Sequence, residues 1–174
     1  MDQTNPTNAF IATTGRTRTV ASHCLEVLGN AVGWGAAMAA AALAALYWRN
    51  GLLTSHLTAL TLVYFFGGTL AWAILVPLTR RFTRSRPASA RFAAFFLVLS
   101  IGTAAMTAFL FAMDYRWFYS RWHAPFGSLI WTFQFLYTGA SAVYQFAIFG
   151  LPLFLPFGLL CLVAVSAYLA RRTR

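Results

Sequence analysis

Residues 28–48 read LGNAVGWGAAMAAAALAALYW and are followed at once by Arg49. This run has no acid, lysine, arginine or histidine, and at about 1.5 Å per helical residue it covers the roughly 30 Å of a bilayer's hydrocarbon. A helix is the form such a segment takes there, because every N–H and C=O must find its partner inside the segment. Working outward, comparable stretches follow at Leu57 to Leu78, Phe92 to Met113 and Ser128 to Ala170. All thirteen basic residues are arginine, and each lies outside these stretches or at their very ends. The layout predicts an all-α polytopic membrane protein forming one integral-membrane domain over residues 1–174.

Composition supports this reading: of 174 residues 60% are hydrophobic and 9% charged, which leaves no room for a separate soluble domain. A formal charge of +10 suggests nucleic acid in a soluble protein. Here the charge sits where membrane orientation needs it, so nucleic acid is not an expected partner. Cys24 and Cys161 have no pair spacing for metal or redox chemistry, and no disulfide, metal site or cofactor is expected. The polar N-terminus with Arg16 and Arg18 reads as an uncleaved anchor, and His23 with Glu26 as a solvated pair one turn apart. Alanine and arginine usage without lysine points to a bacterial inner membrane; a mitochondrial inner membrane is the alternative.

Orientation follows from where the arginines fall. With the N-terminus cytoplasmic, ten lie inside (Arg16, Arg18, Arg80, Arg81, Arg84, Arg86, Arg91, Arg171, Arg172, Arg174) and three outside (Arg49, Arg116, Arg121). Both termini are then cytoplasmic and the number of crossings is even. Contact of the run from Arg80 to Arg86 with anionic lipid is a consequence.

The last stretch sets the number of crossings. As a straight helix it would be about 64 Å long, twice what the bilayer needs. Gly150, Pro152, Pro156 and Gly158 interrupt it, and proline inside a helix removes a backbone bond and clashes one turn back. The preferred reading has four spans at about 28–48, 57–78, 92–113 and 148–170. It leaves 1–27 as a cytoplasmic N-terminus and 114–147 as an extracytoplasmic aromatic loop and an outer-leaflet amphipathic or re-entrant helix. The alternative is five spans, with Ser128 to Phe149 and Leu151 to Ala170 joined by a tight hairpin.

Within the first span Gly29, Gly33, Ala37, Ala41 and Ala45 recur every four residues, a stripe that lets a neighbouring backbone approach closely. It predicts a central first helix, packed within the bundle or, alternatively, in a homo-oligomer. No ionisable side chain falls in the middle of a span, where one would mark an ion or proton path, so a carboxylate-driven antiporter is not expected.

Polar groups collect instead just before the last span. Residues 114–127 read DYRWFYSRWHAPFG, the composition of an interfacial belt. In the functional reading Arg116, Arg121 and His123 contact anions while Trp117 and Trp122 form flat apolar walls. On the following helix Gln134, Thr138, Ser141 and Gln145 share one face and need water, headgroups or a partner. Lipid or partner binding is therefore assigned to Arg116, Trp117, Arg121, Trp122, His123, Gln134 and Gln145. No catalytic residue is assigned, and a haem between His56 and His123 has no spacing motif behind it.

Three functions stay open: an accessory or assembly subunit binding lipids and other membrane proteins, a small carrier or flippase for an amphiphilic substrate, and a membrane enzyme or cofactor protein. Topology can be tested directly. Reporter fusions after Arg174 and within 79–90 should read cytoplasm and one near Ser120 the outside; an exported C-terminus would overturn the even number of crossings.

Overall fold

The computed structural model describes the backbone of residues 6–49, 51–52 and 55–172, with side chains from Leu25 onward. The described residues form helices and turns: α1 (Pro6–Trp48), α2 (Leu57–Thr83), α3 (Ala88–Tyr119), α4 (Leu129–Gln145) and α5 (Phe157–Arg172). A 3-10 turn, Ser120–Trp122, follows α3, and a π turn, Phe146–Gly150, with a 3-10 turn, Leu151–Phe154, separates α4 from α5. Leu25–Trp48, Leu57–Thr83 and Ala88–Trp122 are each long and apolar enough to cross a membrane, and α4 with α5 makes a pair bent by 69° that adds up to one more crossing. The protein is an all-α polytopic membrane protein.

Helix lengths explain the shape. The 32 residues of α3 reach about 48 Å, so α3 overhangs a 30 Å hydrocarbon layer. The 16 residues of α5 reach only about 24 Å, which is less than a full crossing without the turns before it. The hairpin of the five-span alternative does not form. Phe146–Phe154 keeps winding as a π turn and then a 3-10 turn, so the chain bends by 69° instead of reversing. The segment expected as an N-terminal tail, 1–27, is helical from Pro6 and continuous with the first span; proline's fixed φ and missing N–H suit a helix's first turn.

The helices pack as a ring, α1 on α2, α2 on α3, α3 on α5 and α5 on α1, with α4 outside it against α3. Closest approach falls at glycines. A Cβ on Gly35 would overlap the Phe65 carbonyl and Thr69 of α2, one on Gly68 would lie 3.0 Å from the Gly35 Cα, and one on Gly67 would lie 2.8 Å from the Thr107 Cα of α3. Above this contact the Trp34 Nε1–H donates to Thr103 Oγ1 at 3.1 Å, tying α1 to α3, and the Trp34 ring packs on Trp72 with centroids 5.9 Å apart. Buried threonines meet their hydrogen-bond need locally: Thr79, Thr83 and Thr107 donate to carbonyls one turn back at 2.7–2.8 Å.

The small-residue stripe on α1 does not act as one seam. Gly29 and Gly33 are exposed, and a Cβ at either would meet nothing within 4 Å; Ala37 is half-buried, and Ala41 and Ala45 are buried. Spacing of four residues advances about 40° beyond a full turn each time, so from Gly29 to Ala45 the row rotates by about 160°. Its two ends face different neighbours, and the α2 contact falls on Gly35.

Charge separates along the ring axis. Glu26 meets Arg172 at 3.7 Å, an exposed pair that brings the end of α5 to the start of the first span. Such a pair contributes at most about 1 kcal/mol, and its value here is in marking the level of α5. The expected partner of Glu26, His23, has its side chain outside the described residues, as do Cys24, Arg16 and Arg18. Arg80, Arg81, Arg84 and Arg86 close α2 at that same end, while Arg49, Arg116 and Arg121 lie at the other.

Paired glycine changes test this packing. Gly35→Ala should destabilise by about 1–3 kcal/mol through overpacking. Gly33→Ala should be neutral or stabilising by up to about 1 kcal/mol through helix propensity. Thermal unfolding in detergent reads both.

Candidate functional site

The α3 overhang is the base of the site. Its rings interlock: Tyr115 and Tyr119 centroids are 4.6 Å apart, Phe118 and Trp122 5.6 Å, Tyr119 and Trp122 6.0 Å. The chain then turns through Ser120–Trp122 and Gly127, whose φ of +84° lies in the left-handed region that glycine adopts without strain. Ser128 caps α4 by accepting the Trp131 N–H at 3.1 Å, and α4 runs back across α3.

The polar stripe of α4 is largely spent on this crossing. Gln134 Oε1 accepts the Ala124 N–H at 2.8 Å, Thr138 Oγ1 donates to the Gln134 carbonyl at 2.6 Å, and Gln145 Nε2 donates to the Tyr115 hydroxyl at 3.4 Å. Arg116 lays its guanidinium 3.7 Å from the Phe135 ring centroid, and its buried Nε has no hydrogen-bond partner, so the cation–ring contact is what holds it. Phe126, Trp131 and Phe135 extend the packing as a ring ladder.

The seven residues singled out by sequence thus divide. Arg116 and Gln145 fasten α4 to α3, and Gln134 fastens it to the loop at Ala124. Trp117, Arg121 and Trp122 are exposed on the overhang, and His123 is half-buried at its end. Of the stripe, Ser141 alone is exposed. His56 stands at the start of α2, and among the described residues no group of three His, Cys, Asp or Glu could hold a metal ion.

Two crevices flank the break between α4 and α5. A seam of about 290 Å³ runs between α1, α3 and α5, floored by Trp34, Met38 and Leu99 and edged by the exposed Leu155 and Leu159. A vestibule of about 310 Å³ opens at the Arg49 end, with Tyr64, Phe146 and Leu153 buried at its base and Arg49, Gln145 and Phe149 around it. The break exposes carbonyls, and side chains meet them. Tyr64 donates its hydroxyl to the Gly150 carbonyl at 2.6 Å, and Arg49 reaches the Pro152 carbonyl at 3.5 Å. Sequence reasoning located the break but passed over these residues, treating Arg49 as an orientation charge only. The available signal was Tyr64, a hydroxyl inside an apolar span that requires an acceptor.

Comparison of the chain with protein families, with curated proteins and with solved structures finds no match.

Gln134→Leu leaves the Ala124 N–H without its acceptor and should cost about 1–3 kcal/mol where that amide is screened from water. Hydrogen exchange should then rise across 120–135, whereas Ser141→Leu should leave exchange unchanged.

Proposed function

We propose that the protein is a non-catalytic accessory or assembly subunit of a larger complex in a bacterial inner membrane, with both termini cytoplasmic, and that α4 with the aromatic turn before it is its docking face. The observation carrying this reading is the way α4 is held. Gln145 is turned onto Tyr115 of α3 and Gln134 onto the loop at Ala124, and the outer side is largely apolar and aromatic, with Ile130, Phe133, Leu136, Tyr137, Val143 and Tyr144 exposed. A helix fastened outside the ring and presenting large rigid side chains suits a neighbouring helix or lipid better than a water-soluble ligand. Tyr137 and Tyr144 lie two turns apart on this side and each adds a hydroxyl that a partner helix can engage.

Cytoplasmic termini rest on the ten-to-three arginine count, and the described members of its two groups from Arg49 onward lie at opposite ends of the ring. A second reading, a small carrier for an amphiphilic substrate, is favoured by the broken crossing with a crevice on either side, because interrupted helices line substrate sites in many carriers.

A photo-crosslinker decides between a docking face and a lipid-facing one. Placed at Phe133 or Tyr137 in the full chain in native membranes, it should capture one discrete larger membrane protein. Placed at Ile74, exposed on α2, it should capture lipid. If Phe133 and Tyr137 capture lipid alone, the accessory reading fails.

A further inference from the structure

We infer that the vestibule at the Arg49 end is a binding site for the phosphate group of a lipid, with Arg49 as the anion contact and the rings of the π turn as the apolar wall. The inference goes beyond the accessory reading and does not rest on it, because the vestibule lies inside the ring while the docking face is the outer side of α4.

Charge is the first argument. A guanidinium is always ionised and offers five donors in a fork that matches two phosphate oxygens. Arg49 is exposed and makes one side-chain hydrogen bond among the described residues, to the Pro152 carbonyl at 3.5 Å, and that oxygen already accepts the Leu155 N–H at 3.1 Å. The chain contains three acids, Asp2, Glu26 and Asp114. Glu26 is held by Arg172 at the opposite end of the ring, and among the described residues no carboxylate lies within 4 Å of Arg49. Among the described residues none supplies an anion to Arg49, so its guanidinium is available to a lipid phosphate at the membrane surface.

Shape and depth are the second argument. The vestibule's base is Tyr64, Phe146 and Leu153, all buried, with the Tyr64 and Phe111 rings 6.4 and 6.0 Å from that of Phe146. Phe149 is exposed beside the opening. Phe146, Phe149 and Gly150 all belong to the π turn, an element that recurs at functional sites. A Cβ on Gly150 would overlap the Phe146 ring, so the turn holds that ring in place. At about 310 Å³ the space is at the small end of ligand pockets and fits a headgroup with the start of its chains rather than a whole lipid. Arg49 directly follows Tyr47 and Trp48, both more than 70% exposed at the end of α1, which puts it at the depth of an aromatic belt and of lipid phosphates. A free phosphate would satisfy the guanidinium but not the rings. A lipid phosphate satisfies both.

The test uses the full chain, delipidated in neutral detergent, with binding read by native mass spectrometry. Probes are a short-chain phosphatidic acid, the matching diacylglycerol and inorganic phosphate. Phosphatidic acid should saturate at one molecule per chain, and Arg49→Ala should weaken it about tenfold or more, as loss of a charge-assisted pair implies. Arg171→Ala, exposed in the last turn of α5 at the opposite end of the ring, should leave it within about twofold. Arg49→Lys keeps the charge without the fork and should give an intermediate loss, which preserves the test if the alanine variant does not fold. Equal binding by wild type and both Arg49 variants would overturn the proposal. So would diacylglycerol binding as tightly as phosphatidic acid. Displacement by inorganic phosphate at the same concentration as phosphatidic acid would make this a free-anion site and overturn the lipid assignment.

Discussion

The 2.6 Å hydrogen bond from the Tyr64 hydroxyl to the Gly150 carbonyl ties α2 to the break between α4 and α5. Hydrocarbon offers no partner to a freed backbone group, and an unmet carbonyl at membrane depth costs several kcal/mol. A helix can therefore be broken inside the bilayer only where other elements meet what the break releases. Here α2 supplies Tyr64 to the Gly150 carbonyl, while the Pro152 carbonyl accepts the Leu155 N–H and takes Arg49 as a second, longer contact. Beyond the break, α5 is shorter than a full crossing, and before it α4 lies outside the ring against α3.

Around that point packing is organised by absent side chains. Gly35 and Gly68 let α1 and α2 approach to backbone contact, and Gly67 does the same for α2 against Thr107 of α3. Lipid supplies no hydrophobic force for helix association, so this proximity, with the dispersion contacts it brings, is the attractive term. Trp34 fills the space that the thin helices leave and uses its indole N–H on Thr103, which keeps a polar atom in the core satisfied. Both crevices lie where α5 and its preceding turns replace a full-length helix as the fourth member of the ring.

The polar residues of the α3 overhang and α4 show how a stripe legible in sequence receives its hydrogen-bond partners only from the fold. Gln134, Thr138 and Gln145 do share a face, as their spacing requires. That face meets the loop and α3 rather than water, because the overhang gives α4 a surface with complementary groups, the Ala124 N–H and the Tyr115 hydroxyl. Arg116 is drawn into the same joint by Phe135. Arginine spacing along the chain carries orientation; whether a given guanidinium is spent on a ring or left for a ligand depends on which ring comes back to it.

Sequence alone determined the class, the three long spans, the segregation of arginine to opposite ends and the interruption near Gly150 and Pro156, because each follows from local rules: span length, exclusion of charge from hydrocarbon, and proline's missing donor. Tertiary structure decided which small residues form the close contact. A four-residue stripe drifts around a helix, and only the position of α2 selects Gly35 over Gly33. It also decided that the break bends by 69° rather than reversing, and that Tyr64 and Arg49, 86 and 103 residues away, reach its carbonyls. Periodicity reports what one helix can present to a neighbour. Which neighbour arrives, and with which hydrogen-bonding group, is a property of the assembled ring.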